Sequence, residues 1–120
     1  MILVDTSVWV AHLRYGDDTL VQQLQTGQVL AHPFVIGEIS LGNLRKRSII
    51  LGALQNLPQA VVASDAEVLG FIEEHELAGK GVGYIDAHLL ASARLTPDTA
   101  LWTRDTRLAT AAKRLGVAFS

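Results

Sequence analysis

Four acidic residues, Asp5, Glu38, Asp86 and Asp105, stand in apolar or turn-forming surroundings where a carboxylate has chemistry open to it. Asp5 ends the apolar run Met1-Ile2-Leu3-Val4, and Asp105 closes Thr99-Ala100-Leu101-Trp102-Thr103-Arg104. Such runs read as short buried strands. Both acids then sit at strand carboxyl ends, the edge of an open α/β sheet where ligands bind. An Asp there is also an ordinary cap for the next helix, and either acid alone fits both readings. Two on one edge are harder to dismiss as caps. Glu38 is the single charge in Phe34-Val35-Ile36-Gly37-Glu38-Ile39-Ser40-Leu41. A buried unpaired carboxylate is costly, so Glu38 should either reach solvent or meet a cation, a metal or a base such as Arg45; its helical face, shared with Phe34 and Leu41, argues against a freely solvated position. Asp86 opens the apolar stretch Ile85-Asp86-Ala87-His88-Leu89-Leu90, where the helix dipole alone would favour it.

A set of carboxylates without soft ligands specifies a hard cation such as Mg²⁺. The chain has no cysteine, which removes disulfides, thiolate nucleophiles and Cys-based zinc sites. His12, His32, His75 and His88 show no His-Glu-x-x-His spacing. His88 follows Asp86 by two positions, about 200° around a helix, so the two point apart. The histidines therefore read as structural or surface groups. One or two hard cations can align and deprotonate a water and stabilise charge during in-line attack on a phosphodiester. Thr6, Ser7 and Thr103 adjoin the strand-end acids, and their hydroxyls suit either orienting that site or capping helices.

The elements that must hold these groups alternate between short strands and helices. Met1–Val4 is a strand, followed by a helix capped by Thr6 or Ser7 and running through Leu13. Gly16-Asp17-Asp18 turns into a helix that stops at Gly27, and Val29–Ala31 is a second strand. Pro33 starts a helix expected to run through Leu44 into Arg45-Lys46-Arg47, whose charges suit a helix carboxyl end. A short helix spans Ile49–Leu54, and Ala60–Val62 is a brief strand or extended connection. Ser64-Asp65-Ala66-Glu67 has capping-box spacing and opens a helix to about Leu77. Gly81-Val82-Gly83 is a flexible lead into a helix from Tyr84 to Leu95. After the strand Thr99–Trp102, Leu108, Ala111, Ala112 and Leu115 mark a helix closing at Gly116, and Val117–Phe119 is a last strand. This alternation predicts one α/β domain over residues 1–120, with a central parallel sheet and right-handed crossovers.

A chain of 120 residues, 49% of them hydrophobic, can bury one core and is no disordered tail. No apolar run approaches the roughly 20 residues of a membrane span. The start Met1-Ile2-Leu3-Val4-Asp5 lacks the basic opening of a signal peptide, so a cytoplasmic protein is expected. The net charge of −2 runs against a polyanionic partner. The charges are segregated, however: acids gather between Asp65 and Glu76, and bases gather at Arg45–Arg47 and at Arg104, Arg107, Lys113 and Arg114.

Taken in order, Ile2-Leu3-Val4-Asp5-Thr6-Ser7-Val8-Trp9, Glu38 in its apolar helix, Ile85-Asp86-Ala87-His88-Leu89-Leu90-Ala91 and Leu101-Trp102-Thr103-Arg104-Asp105-Thr106-Arg107-Leu108 resemble the PIN-domain nucleases, especially the VapC-type toxins. The likeness spans nearly the whole chain; each motif is weak alone and the ordered set is specific. It implies a PIN-like three-layer fold and Mg²⁺- or Mn²⁺-dependent endonucleolytic cleavage of RNA. Asp5, Glu38 and Asp86 match acids that hold metal directly or through water, Asp105 matches the fourth acid, and Thr6 and Thr103 match supporting positions. The resemblance further implies a homodimer and a VapB-like antitoxin that blocks the acidic pocket and supplies the contact to promoter DNA.

Arg104 and Arg107 flank Asp105 and suit RNA phosphate, with Arg45 and Arg47 extending the track; surface ion pairs with the Asp65–Glu76 acids are the competing use. Trp9 and Trp102 read as core residues rather than base-stacking platforms. A response-regulator receiver needs adjacent acids after its first strand, and Thr6 follows Asp5. A haloacid-dehalogenase-like phosphatase needs an acid where Ser7 stands, and a flap nuclease of related fold would be longer. The remaining alternative is a non-catalytic PIN-fold binding or regulatory module, for which loss of one of the four acids would have spoken.

Overall fold

The computed structural model describes all 120 residues. Three short strands, β1 (Ile2–Val4), β2 (Val29–Leu30) and β3 (Ala100–Trp102), form a parallel sheet in the order β2-β1-β3. Ile2 pairs with Val29 on one side and Ala100 on the other, and Leu3 pairs with Leu30 and Leu101. All three residues of β1 are buried, as a central parallel strand covered on both faces requires. Isolated bridges Ala31–Gln59 and Leu101–Ala118 widen the sheet on each side. Ala60–Val62 is the extended connection of its two readings, following the Gln59 bridge, and the expected strand Val117–Phe119 reduces to the single bridge at Ala118.

Seven helices surround the sheet: α1 (Thr6–Tyr15), α2 (Asp18–Gln25), α3 (Pro33–Ser40), α4 (Arg47–Asn56), α5 (Asp65–Glu74), α6 (Tyr84–Leu95) and α7 (Thr106–Arg114). The sequence signals set most of their starts. Asp17 caps α2 through the Leu20 amide, Pro33 occupies the first turn of α3, and Ser64 and Glu67 form both bonds of a capping box on α5. Two helices end early. α3 stops at Ser40 rather than Leu44, where the Ser40 hydroxyl donates to the Gly37 carbonyl and the Arg47 guanidinium donates to the Ser40 and Gly42 carbonyls. α5 stops at Glu74, with Glu76 at φ 53°.

The core joins β1, β2 and β3 to Val8, Leu20, Val35, Leu89, Leu90, Leu108 and Ala112. Leu3, Leu89, Leu101 and Leu108 are all but inaccessible to solvent, so truncating any one to Ala is expected to cost about 2–5 kcal/mol. Trp9 is buried as expected; Trp102 is half-buried against Phe119. Helix α6 is the most enclosed, with Ala87 to Ala93 all buried. No helix is long and apolar enough to cross a membrane.

Candidate functional site

The parallel pairing of β1 and β3 brings the ends of two distant segments together. The Asp5 amide donates to the Trp102 carbonyl at 2.9 Å, so Asp5 and the turn Thr103-Arg104-Asp105 leave the sheet at the same edge. Asp5 is 5% exposed and precedes α1, yet it barely caps that helix. Its Oδ1 accepts only from the adjacent Thr6 amide, while Oδ2 accepts from the Ser7 hydroxyl at 2.8 Å and the Thr103 hydroxyl at 2.7 Å. Those hydroxyls in turn accept from the turn: the Arg104 amide donates to Ser7 Oγ and the Asp105 amide to Thr103 Oγ1. A buried carboxylate is thereby satisfied by two hydroxyls that also fix the strand-end backbone.

Asp105 does act as a cap. Its Oδ1 accepts from the Arg107 and Leu108 amides at the start of α7, and its exposed carboxylate has no other recorded partner. The cap thus uses one carboxylate oxygen and leaves the other free. Glu38 projects from α3, which packs on α1, and its Oε1 accepts from the Thr6 hydroxyl at 2.8 Å. The expectation that Glu38 avoids bulk water is corrected: it is exposed and makes no ion pair with Arg45. Phe34 and Leu41 do not seal that face, since α3 ends at Ser40 and Leu41 is itself 88% exposed.

Asp86 stands in the first turn of α6, with its carboxyl raised from the ordinary 3.8 to about 6. Burial is the main cause, and the negative charges of Asp5, Asp105 and Glu38 add to it. A backbone hydrogen bond with Gly83 opposes the rise. The other three acids thus all lie close enough to Asp86 to raise its carboxyl. Gly83 was legible in the sequence only as part of a flexible lead; its position just ahead of the acid-bearing helix was the available signal. None of the four acids is paired with a Lys or Arg, since the only ion-pair contacts in the molecule are His75–Glu74 and His88–Asp65.

This donor set fits a divalent metal. It is all oxygen, it carries uncompensated negative charge, and it raises the carboxyl that a cation would lower again. No three of its acids approach closely enough to enclose an ion on their own. An ion held here would take one or two carboxylates directly and keep several of its waters.

The histidines are structural. His32 is fully buried, its Nδ1 accepts from the Phe34 amide at the start of α3, and its Nε2 meets Ser92 Oγ at 3.1 Å. His88 is buried between Phe34 and Tyr84 and reaches Asp65 at 3.1 Å. Among the basic candidates, Arg104 and Arg107 adjoin Asp105 in the chain, and Arg45 lines a cleft with Glu38, Leu13 and Ile50. Arg47 is engaged in closing the end of α3.

The sheet order, the acids on its edge and their supporting hydroxyls together describe a PIN domain, and the PIN domain family model matches residues 2–114. The chain belongs to the PIN-domain family. Two relatives, each named Ribonuclease VapC32, come from Mycobacterium tuberculosis strains CDC 1551 / Oshkosh and ATCC 25618 / H37Rv. Each is 45% identical to this chain over 120 residues, covering 100% of this chain and 97% of the relative.

Proposed function

We propose that this protein is a divalent-metal-dependent endoribonuclease, the toxin of a toxin–antitoxin pair, with Asp5, Glu38, Asp86 and Asp105 as its working carboxylates. The observation that carries the reading is the convergence at one sheet edge: Asp5 and the Thr103–Asp105 turn leave the sheet together, Thr6 ties Glu38 to that edge, and Asp86 feels all three acids. The full-length likeness to proteins named as ribonucleases points the same way.

When bound, Mg²⁺ or Mn²⁺ would supply Lewis acidity and charge neutralisation at the scissile phosphate. Asp5, Asp86 and Glu38 would hold it, with Asp105 acting through water. The chain's own residues supply position. Ser7 and Thr103 fix the Asp5 carboxylate at the strand end, and Thr6 holds Glu38. Asp105 orients one oxygen into α7 and leaves the other for the site. Arg104 would meet substrate phosphate from the turn between Thr103 and Asp105. The proposal extends to an intracellular homodimer whose acidic site is blocked by a VapB-like antitoxin, promoter DNA being contacted only through that partner.

The test is cleavage of labelled total RNA by purified, antitoxin-free protein in Mg²⁺, in Mn²⁺ and in EDTA, beside Asp5→Asn. Cutting that needs metal and disappears in the variant supports the nuclease. A folded protein that cuts none of several RNAs with either metal would favour a non-catalytic binding module.

A further inference from the structure

A second group of charges lies along α7, outside the carboxylate set. Thr106, Arg107, Thr110, Ala111 and Arg114 of that helix, with Lys80 from the loop before α6, line a cavity of about 220 Å³. Three of the six lining residues are cations and none is an acid. No Lys or Arg in the molecule lies within ion-pair distance of a carboxylate, so their charges are uncompensated in a chain whose net charge is −2.

The cavity is built, not merely charged. Residues 106, 110 and 114 recur every four positions and share one face of α7, a track of about 12 Å at 1.5 Å per residue. Arg114 Nη2 donates to the His75 carbonyl at 2.7 Å, which holds its guanidinium in place and leaves other N–H groups free. Arg107 lies directly over Gly81: a β-carbon there would stand 2.4 Å from Arg107 Cδ and 2.6 Å from Nη1. Gly81 has φ +75°, so the backbone conformation and the close approach both call for glycine. The Thr106 hydroxyl has no recorded partner, whereas Thr110 donates its proton to the Thr106 carbonyl. Lys80 has no side-chain bond.

The cavity also shares its supports with the carboxylates. Asp105 caps the helix that carries Arg107 and Arg114. Gly81, which seats Arg107, stands two residues before Gly83, the cap of the helix that carries Asp86.

Building on the nuclease reading, we infer that Lys80, Arg107, Arg114 and Thr106 form a subsite for an internucleotide phosphate of the RNA, flanking the bond that is cut. It positions the strand and takes no part in the chemistry, so its loss falls on KM rather than kcat. Contacts to phosphate carry no sequence information, so the loss is uniform across RNA sequences.

The test pairs two readouts. Equilibrium binding of a fluorescein-labelled single-stranded RNA is measured in EDTA across a salt series, and cleavage kinetics are measured with Mn²⁺. The variants are Lys80→Ala, Lys80→Arg, and Lys113→Glu, an α7 charge reversal outside the cavity. Lys80→Ala is expected to weaken binding and raise KM about three- to tenfold, and to reduce the salt slope by about one ion or slightly less. Lys80→Arg restores both. Unchanged binding in Lys80→Ala overturns the subsite, as does an equal or larger loss in Lys113→Glu, which would make the effect one of overall charge. Because binding is read without metal, the two proposals separate. A wild type that binds through Lys80 but never cuts leaves the subsite standing and the nuclease fallen; a wild type that cuts while Lys80→Ala is silent does the reverse.

Discussion

Replacing Asp86 by Asn is expected to stabilise the metal-free protein while removing its function. In the folded chain the Asp86 carboxyl titrates near 6 instead of the ordinary 3.8, because of burial first and then of Asp5, Asp105 and Glu38. The folded state therefore holds this proton more tightly than the unfolded state. As pH rises from about 4 to about 6 the unfolded chain releases it first, and stability falls. Above pH 6 the whole penalty is present. Taken at face value the shift is worth about 3 kcal/mol, and solvent reaching the half-buried carboxyl reduces that to about 1–2 kcal/mol. Urea unfolding in EDTA would measure it. At pH 7.5 Asp86→Asn should be more stable than wild type by that amount, and at pH 4, where Asp86 is mostly protonated, the difference should largely vanish. Adding Mn²⁺ at pH 7.5 should stabilise the wild type and do less for the variant. A variant no more stable than wild type at pH 7.5, or one whose advantage is undiminished at pH 4, would refute the reasoning.

His32, held near 4 by burial and by the His88 charge, contributes in the opposite sense. The stability it supports is present above the ordinary 6.5 and declines as pH falls toward 4, so His32→Asn should be weaker at pH 7.5 but lose less over that acid range in urea melts. Thr103→Val removes the hydroxyl between Asp5 Oδ2 and the Asp105 amide; a loss of about 1–3 kcal/mol, with a fall in kcat in the cleavage assay, is expected. Gly81→Ala forces a β-carbon against Arg107 at a positive φ and should cost at least about 1–2 kcal/mol by thermal or urea melts.

Local chemistry made much of this molecule legible. The apolar runs at Ile2–Val4 and Ala100–Trp102 read correctly as parallel strands because both faces of the sheet are covered, and the Ser64–Glu67 spacing encoded its capping box outright. The ends of α3 and α5 were not legible. Arg47 closes α3 from the next helix, a contact set by how the chain returns rather than by residues inside α3. The four acids stood out by their surroundings, but how the fold holds them did not. Asp5 and Thr103 meet across 98 positions, and no spacing rule reaches that far. Glu38 was misjudged for a related reason: its exposure depends on α3 ending three residues beyond Gly37, not on the apolar residues beside it. The cavity along α7 escaped notice because Lys80 and Arg114 come from separate segments joined only by the packing of α7 near the loop before α6.

The central claim, hydrolysis by water at a carboxylate-held divalent ion, is tested most directly by the ends that cleavage leaves on an RNA substrate. The account predicts cutting that stops in EDTA and in Glu38→Gln, leaves no 2′,3′-cyclic phosphate, and persists when the ribose beside the cleaved bond is 2′-deoxy. Cyclic phosphate ends, with cutting that survives EDTA and depends on the 2′-hydroxyl, would contradict it.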